Sequence, residues 1–293
     1  MLQGKIVKSL SEFYYVHVPL TGVYQCTAKG NFRSRKITPL VGDNVLIDRI
    51  DNVRMEAAVE ELLPRSNELI RPKVANIDQA LIIFACVSPQ PNYNLLSRFL
   101  VMMEYNDIET IVCFNKQDQL DKKGLNEIRD IFKSCGCKVV TTSVKQHFGI
   151  DELGDILRGK VTALAGPSGV GKSSILNALF PDAASKTGSI SEKIGRGKHT
   201  TRHVELFNLS DDTYVIDTPG FTSLDYDVIE EKDLHFYFNE FKAYEGMCRF
   251  GGCVHINEPD CVVKEALAAG EISKVRYDIY LEMYNELKNK RKY

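Results

Sequence analysis

Two short stretches of the chain have the residue types and spacing for chemistry on a nucleotide. Gly166-Pro167-Ser168-Gly169-Val170-Gly171-Lys172-Ser173 follows the Gly-x-x-x-x-Gly-Lys-Ser pattern, a loop whose backbone N–H groups wrap phosphates. In such a loop the lysine serves the terminal phosphates and the serine hydroxyl serves Mg2+. Lys172 and Ser173 take those positions, with Ser174 directly after them. Asn115-Lys116-Gln117-Asp118 has the Asn-Lys-x-Asp pattern of a guanine reader. Its Asp accepts from both N1–H and the 2-amino group of guanine, and adenine has no such donor pair on that edge. Asn115 braces the neighbouring loops, Lys116 lies along the base and Asp118 reads it. A phosphate loop ordinarily precedes its base reader; here the reader comes first. That inverted order describes a circularly permuted nucleotide-binding domain selective for GTP.

Further pieces of such a site follow by position. Asp217-Thr218-Pro219-Gly220 stands at the end of an apolar run: Asp217 would hold Mg2+ mostly through water, and the Gly220 N–H would sense the γ-phosphate. Thr141-Thr142-Ser143-Val144-Lys145 lies 25 residues after Asp118 and fits the loop that backs the guanine, with Ser143, Val144 and Lys145 against the base. Between the phosphate loop and Asp217, residues 186–202 are rich in glycine and charge, where GTPases carry the switch that closes on γ-phosphate and Mg2+. Thr200 and Thr201 are the candidates to complete the Mg2+ shell, Thr201 preferred. Many GTPases position the attacking water with a Gln just after the Gly of the second switch. Here that place is Phe221, which cannot orient water, and His199 is the substitute nearest the switch threonines. The five cations of this stretch (Lys186, Lys193, Arg196, Lys198 and Arg202) could also face an RNA backbone.

A second chemistry is written near the C-terminus. Cys248-x4-Cys253-x-His255-x5-Cys261 offers three thiolates and one imidazole within a short span. Soft ligands of this number fit one tetrahedral Zn2+ with no open position for water, hence a structural site. The other cysteines of the eight (Cys26, Cys86, Cys113, Cys135 and Cys137) read as small core residues. Cys135-Gly136-Cys137 is too tightly spaced for a zinc knuckle and receives no role.

The elements that must position these residues follow from pattern. Residues 1–62 read as short strands (4–8, 13–18, 22–26 and 44–49) broken at Pro19, Gly22, Gly30 and Gly42-Asp43, a small barrel of the OB or SH3-like kind. Lys29, Arg33, Arg35 and Lys36 surround Phe32 between strands, a solvated hairpin loop or an RNA contact. From Leu69 onward strands and helices alternate: strands over 79–87, 109–115, 138–142, 161–165 and 214–217, helices over 94–105, 125–132, 151–157 and 172–180. This rhythm implies a parallel sheet with helices on both faces and ligands at the carboxyl ends of its strands. After Asp225 the chain reads as helical, with a helix from near Pro259 to Ala269 stopped by Gly270. A final helix is striped by Ile272, Val275, Ile279, Met283 and Leu287 and ends in Lys288, Lys290, Arg291 and Lys292.

Composition sets the outer limits. With 293 residues, 44% hydrophobic, 26% charged and a formal net charge of −2, the chain is long enough for two or three domains. It carries no overall basic excess, so any nucleic-acid contact must come from local patches. The N-terminus lacks the apolar core of a signal peptide, and no apolar run approaches the roughly 20 residues needed to span a bilayer. A cytoplasmic monomer with reduced thiols and no membrane partner is expected.

These motifs together resemble the RsgA (YjeQ/YloQ) family, the circularly permuted GTPases of bacterial small-ribosomal-subunit biogenesis. The resemblance rests on Arg71-Pro72…Ala75-Asn76, Pro91-x3-Leu95-Leu96-x-Arg98-Phe99-Leu100-Val101, the guanine reader, the phosphate loop, His199-Thr200-Thr201, the Asp217–Gly220 motif and the Cys-Cys-His-Cys cluster, and it spans essentially the whole chain. It implies an α/β protein of three parts. An OB-type RNA-binding barrel occupies 1–62, a circularly permuted P-loop GTPase domain with a mainly parallel sheet 63–224, and a helical zinc-binding domain 225–293. It further implies GTP hydrolysis to GDP and phosphate, stimulated by the 30S subunit and its rRNA late in maturation, with His199 as catalytic histidine and Cys248, Cys253, His255 and Cys261 as zinc ligands. The N-terminus starts almost directly on the barrel, without the long basic extension of some relatives. Three rivals remain open: a permuted GTPase acting on tRNA or the large subunit, an RNA-binding scaffold with a vestigial nucleotide site, and a P-loop kinase. The intact Lys172, Ser173, Asp217 and Asp118 oppose the scaffold, and the guanine reader opposes the kinase.

Overall fold

A computed structural model describes the chain apart from residues 30, 31, 33–37, 71, 72, 182–203, 211, 218–225 and 291–293. The first five strands alternate buried and outward-facing residues, the pattern of a sheet with one face on a core. They are β1 (Leu2–Leu10), β2 (Phe13–Val18), β3 (Gly22–Ala28), β4 (Asn44–Asp51) and β5 (Glu56–Leu62). They close into a barrel in the order β1-β2-β3-β5-β4. Every pairing is antiparallel except β3 with β5, which is parallel, as an OB-type topology requires. Ile6, Val16, Tyr24, Cys26, Val45, Ile47 and Val59 fill its interior. Phe32, in the basic segment between β3 and β4, is buried against the same core. Its cationic neighbours Arg33, Arg35 and Lys36 lie outside the described residues.

A short antiparallel hairpin, β6 (Glu68–Ile70) with β7 (Lys73–Ala75), follows the barrel. Then come β8 (Gln79–Ala85), α1 (Tyr93–Tyr105), β9 (Glu109–Asn115), α2 (Lys122–Phe132), β10 (Lys138–Thr141), α3 (Ile150–Leu157), β11 (Val161–Ala165), α4 (Lys172–Leu179), β12 (Leu206–Ser210) and β13 (Thr213–Asp217). The six-stranded sheet runs β10-β9-β8-β11-β13-β12. Strands β8 and β11 are buried along their whole length, as central strands covered on both faces are. Pairing is parallel for β9–β10 and β11–β13 and antiparallel for the edge pair β12–β13. The edge strand β12 was not expected from sequence. The C-terminal region holds 3-10 turns at Tyr226–Val228 and Glu231–Tyr237, then α5 (Asn239–Lys242), α6 (Val262–Ala268) and α7 (Lys274–Lys290).

Two compact units result. One comprises residues 1–81, 149–165 and 171–222, and the other residues 82–148, 166–170 and 223–293. In the first, the barrel meets the sheet through His17, whose Nδ1 lies 2.7 Å from the Tyr214 hydroxyl, and through the Lys8–Glu205 ion pair. In the second, α7 packs on α1 and α2 around a buried ion pair between Arg276 and Glu240.

Several boundaries differ from expectation for local reasons. Helix α2 starts at Lys122, three residues before Leu125, because the Asp121 carboxylate caps it by accepting from the Gly124 N–H at 2.8 Å. Helix α6 starts after Cys261 rather than near Pro259. The aliphatic stripe of helix α7 is buried at Ile279, Met283 and Leu287, as is Ile272 just before the helix; only Val275 departs from it, at 37% exposed, while Arg276, Tyr277 and Tyr280 widen the buried face. Cys26, Cys86, Cys113 and Cys135 are buried, and Cys137 is only half-buried.

Candidate functional site

Strands β9 and β10 run side by side, with Phe114 opposite Thr141. Asn115, the last residue of β9, and Ser143, two residues beyond β10, therefore stand at neighbouring ends of the sheet. A chain of hydrogen bonds sets their orientation. Burial pushes the Cys113 thiol up to about 12, so it stays protonated and donates to the Thr142 hydroxyl, 3.3 Å away. Thr142 donates onward to Asn115 Oδ1 at 3.1 Å, and Asn115 Nδ2 donates to the Val170 carbonyl at 2.9 Å. Each buried polar group along this path has a partner, which fixes the amide of Asn115 in one orientation.

Lys116 takes a left-handed backbone conformation (φ 62°) that turns the chain out of β9. Its ammonium donates to the carbonyls of Ser88 and Gly169, at 2.6 and 2.8 Å. The Ser143 hydroxyl donates to Asp118 Oδ1 at 2.6 Å and accepts from the Gln146 N–H at 3.1 Å. Ser143 and Phe148 close a small loop with reciprocal backbone hydrogen bonds of 3.0 Å, and Lys145 is exposed on it. Asn115, Lys116, Asp118 and Ser143 are thus gathered with Gly169 and Val170, the first half of the phosphate loop. Sequence reasoning missed the two residues that brace the group, Cys113 and Ser88. The only signal for Ser88 was the turn-forming Ser88-Pro89 pair after β8.

The phosphate loop joins β11 to α4. Gly166 has φ +133°, and a Cβ there would stand 2.1 Å from the Ile83 carbonyl oxygen, so only glycine lets the loop cross that strand so closely. Gly171 is left-handed (φ 96°) and caps α4, which opens at Lys172. The N-terminus of α4 thus carries Lys172, Ser173 and Ser174, a place where the first-turn N–H groups of a helix and its dipole favour an anion. Pro167 is half-buried, and Ser168 and Gly169 are exposed. Asp217 ends β13 in register with Leu164 of β11, the parallel strand that leads into the phosphate loop. His199, Thr200, Thr201 and Gly220 lie outside the described residues.

The second cluster is made by the loop before α6. Cys248, Cys253, His255 and Cys261 each turn one ligand atom inward, and the four atoms lie within 4.8 Å of one another. His255 Nδ1 is 3.6, 3.4 and 3.4 Å from the sulfurs of Cys248, Cys253 and Cys261, and the Cys248 and Cys261 sulfurs are 3.8 Å apart. A tetrahedron with metal–sulfur bonds of about 2.3 Å and a metal–nitrogen bond of about 2.0–2.1 Å has edges of roughly 3.5–3.8 Å. Four of the six separations match these edges and all six stay within 4.8 Å, so the group could hold a metal ion. Burial pushes the Cys253 thiol up to about 12 and the His255 imidazole down to about 4. The imidazole is neutral, as a ligand must be, while the thiols need a cation to ionise.

The surrounding residues hold this loop in place. Tyr277 and Tyr280 of α7 donate to the carbonyls of His255 and Val254, at 2.6 and 2.5 Å. Glu258 accepts from the N–H groups of Val254 and Ile256. Burial acts to raise the Glu258 carboxyl, but these N–H groups outweigh it and hold the carboxyl below its ordinary value. His255 takes a left-handed conformation (φ 60°), strain that a chelating loop accepts to aim its ligand.

Comparison with known proteins agrees over the full length. Residues 62–227 match the RsgA GTPase family model and residues 3–54 the RsgA N-terminal domain. A small ribosomal subunit biogenesis GTPase RsgA of Agathobacter rectalis is 52% identical, covering 100% of both chains. One from Geobacillus thermodenitrificans is 47% identical over 99% of each. Among solved structures, YjeQ from Thermotoga maritima superposes with a TM-score of 0.83 at 35% identity, over 98% of both chains. YloQ, a circularly permuted GTPase, gives 0.80 at 38% identity, over 99% of this chain and 96% of that one. The inverted motif order is therefore that of a known lineage, and this chain belongs to the RsgA GTPase family.

Proposed function

We propose that this chain is a GTPase of small ribosomal subunit biogenesis, as its full-length relatives are named. The observation that carries the reading is the joining of Asn115, Lys116 and Ser143 to the phosphate loop or to Asp118 by direct hydrogen bonds. Asp118 reads guanine, with one carboxylate oxygen steadied by Ser143. Lys116 flanks the base, and Ser143, Val144 and Lys145 back it. The N–H groups of residues 166–174 and the Lys172 ammonium take the phosphates, and the Gly220 N–H takes the γ-phosphate. Ser173, Asp217 and one of Thr200 and Thr201 are the residues that would hold Mg2+, which supplies charge neutralisation between the β- and γ-phosphates when bound. His199 orients the attacking water. The Cys248–Cys253–His255–Cys261 cluster holds one structural Zn2+.

The barrel (1–62), the permuted GTPase domain (63–224) and the zinc-binding region (225–293) act as three parts of a cytoplasmic monomer. In its GTP form the protein binds the 30S subunit late in maturation through rRNA contacts made by the barrel and the zinc region. The rRNA brings His199 over the water, and hydrolysis to GDP and phosphate releases the protein. Among the described residues no helix is long and apolar enough to cross a membrane.

The test is GTP turnover by the purified protein alone, with small subunits and with large subunits. Selective stimulation by small subunits is expected, and His199→Ala should bind GTP normally while losing roughly 100-fold or more of the stimulated rate, the scale of a lost general base. Equal turnover under all three conditions would overturn the assignment to the small subunit.

A further inference from the structure

The turn between α2 and β10 carries two cysteines that belong to neither site. Cys135 is buried and Cys137 half-buried, and their sulfurs lie 2.9 Å apart. That is closer than the 3.8 Å between Cys248 and Cys261, which converge on a metal position. Here nothing converges between the sulfurs; they face each other. Gly136 makes this possible. Its left-handed conformation (φ +73°) folds the turn back, and a Cβ there would stand 2.7–3.0 Å from the Asn239 side chain. Any other residue would push the turn off α5 and part the two cysteines.

The surroundings also favour sulfur chemistry. The facing Cys137 thiol holds the Cys135 thiol below its ordinary value against the opposing effect of burial, and the charge of the fully buried Arg276 adds to this ahead of Glu240. The Cys135 thiol reaches the Phe132 carbonyl at 2.7 Å, which ties it to the end of α2. Cys137 is the more open of the two and meets solvent first.

We propose that Cys135 and Cys137 form a reversible dithiol–disulfide site whose co-reactant is a small-molecule disulfide. Cys137, passing its proton to the Cys135 sulfur 2.9 Å away, attacks one sulfur of the small disulfide; that S–S bond breaks, and the leaving thiolate takes up a proton, while Cys135 returns its own proton to solvent. The product is a mixed disulfide on Cys137. Cys135, as thiolate, then attacks the Cys137 sulfur, the mixed bond breaks, and the second small thiolate leaves and is protonated. Two protein thiols have been oxidised by two electrons, and one disulfide has been reduced to two thiols. The sulfurs need only close from 2.9 Å to the roughly 2.05 Å of a disulfide. A loop of one intervening residue removes little entropy from the unfolded chain, so the bond adds little stability and is readily reversed.

The chain offers a clean readout, because cleavage after Lys133 and Lys138 releases a peptide with both cysteines and no others. Full-length, metal-loaded protein is equilibrated in mixtures of oxidised and reduced glutathione, quenched with N-ethylmaleimide and digested with trypsin. At the oxidising end the peptide should lose two hydrogens and take no maleimide; at the reducing end it should take two, and the change should reverse. Two maleimides at every ratio, or a lasting single glutathione adduct on the native chain, would overturn the proposal. Cys135→Ser should stall with glutathione on Cys137. Cys137→Ser should react about tenfold more slowly than the native chain, since only the buried thiol remains. A Cys137→Ser chain that reacts at the native rate would equally overturn it.

Discussion

The base-reading corner and the Cys3His loop are both built from turns at the ends of regular elements, yet they are held together in opposite ways. At the corner, Asn115, Thr142, Ser143 and Lys116 satisfy one another or nearby carbonyls directly. The arrangement is complete before any ligand arrives. In the loop, three thiols and an imidazole gather with no more than 4.8 Å between any two ligand atoms. Such inward-facing polar atoms are stable together only around a cation. One site is preorganised by hydrogen bonds, which lowers the cost of binding. The other, with the proposed Zn2+ as its last component, would make binding part of folding.

The largest test of this contrast is metal removal. Chelation should cost the C-terminal region on the order of 10 kcal/mol, seen as early loss of helical signal and rapid proteolysis after residue 225. If the corner is independent, guanine-nucleotide affinity should fall far less than this. Equal loss of both would mean that the corner depends on the metal too.

Next in size is Glu240→Ala, which strands the buried Arg276 on the helix whose Tyr277 and Tyr280 hold the metal loop. Removing one partner of a buried pair costs about 3–5 kcal/mol, read as a lower unfolding midpoint and faster metal loss to a competing chelator. Replacing both partners with apolar residues should recover much of it. Asp118→Ala should weaken guanine-nucleotide binding about 100-fold through loss of charged hydrogen bonds, with metal content unchanged by atomic absorption. Thr142→Val is the smallest and sharpest change. It leaves buried Asn115 Oδ1 without its donor, a loss of about 1–3 kcal/mol, and should weaken nucleotide binding roughly tenfold without touching the unfolding of the metal loop.

The ease of reading these two sites from sequence follows the same contrast. The four metal ligands stand within fourteen consecutive residues, and their spacing alone predicts the cluster. The phosphate loop was equally legible because glycines at positive φ leave a mark on sequence. Strands β9 and β11 also have the expected bounds, since parallel strands buried over most or all of their length are continuous apolar runs. What escaped was long-range and polar. Arg276 reads as a solvent residue until Glu240, 36 positions away, neutralises it, and so the buried face of α7 is wider than its aliphatic stripe. Cys113 and Ser88 brace the corner through single hydrogen bonds whose partners lie 28 or more positions distant, and no local pattern announces such pairs. The edge strand β12 is short and only partly buried, which left it without a clear apolar period.

The hydrogen bond from Asn115 to Val170 spans 55 residues, and it has a consequence for how the molecule is born. A ribosome making about 5–20 residues per second delivers the base reader roughly 3–11 seconds before the carbonyl that fixes it. In the unpermuted order the phosphate grip would be made first and the base selector last. Here the nascent chain holds its selector early and gains its grip late, after three neighbouring strands have already had time to pair. On the roles proposed for these residues, a half-made chain has the means to choose a nucleotide before it has the means to keep one, and would not sequester GTP until its synthesis is well advanced.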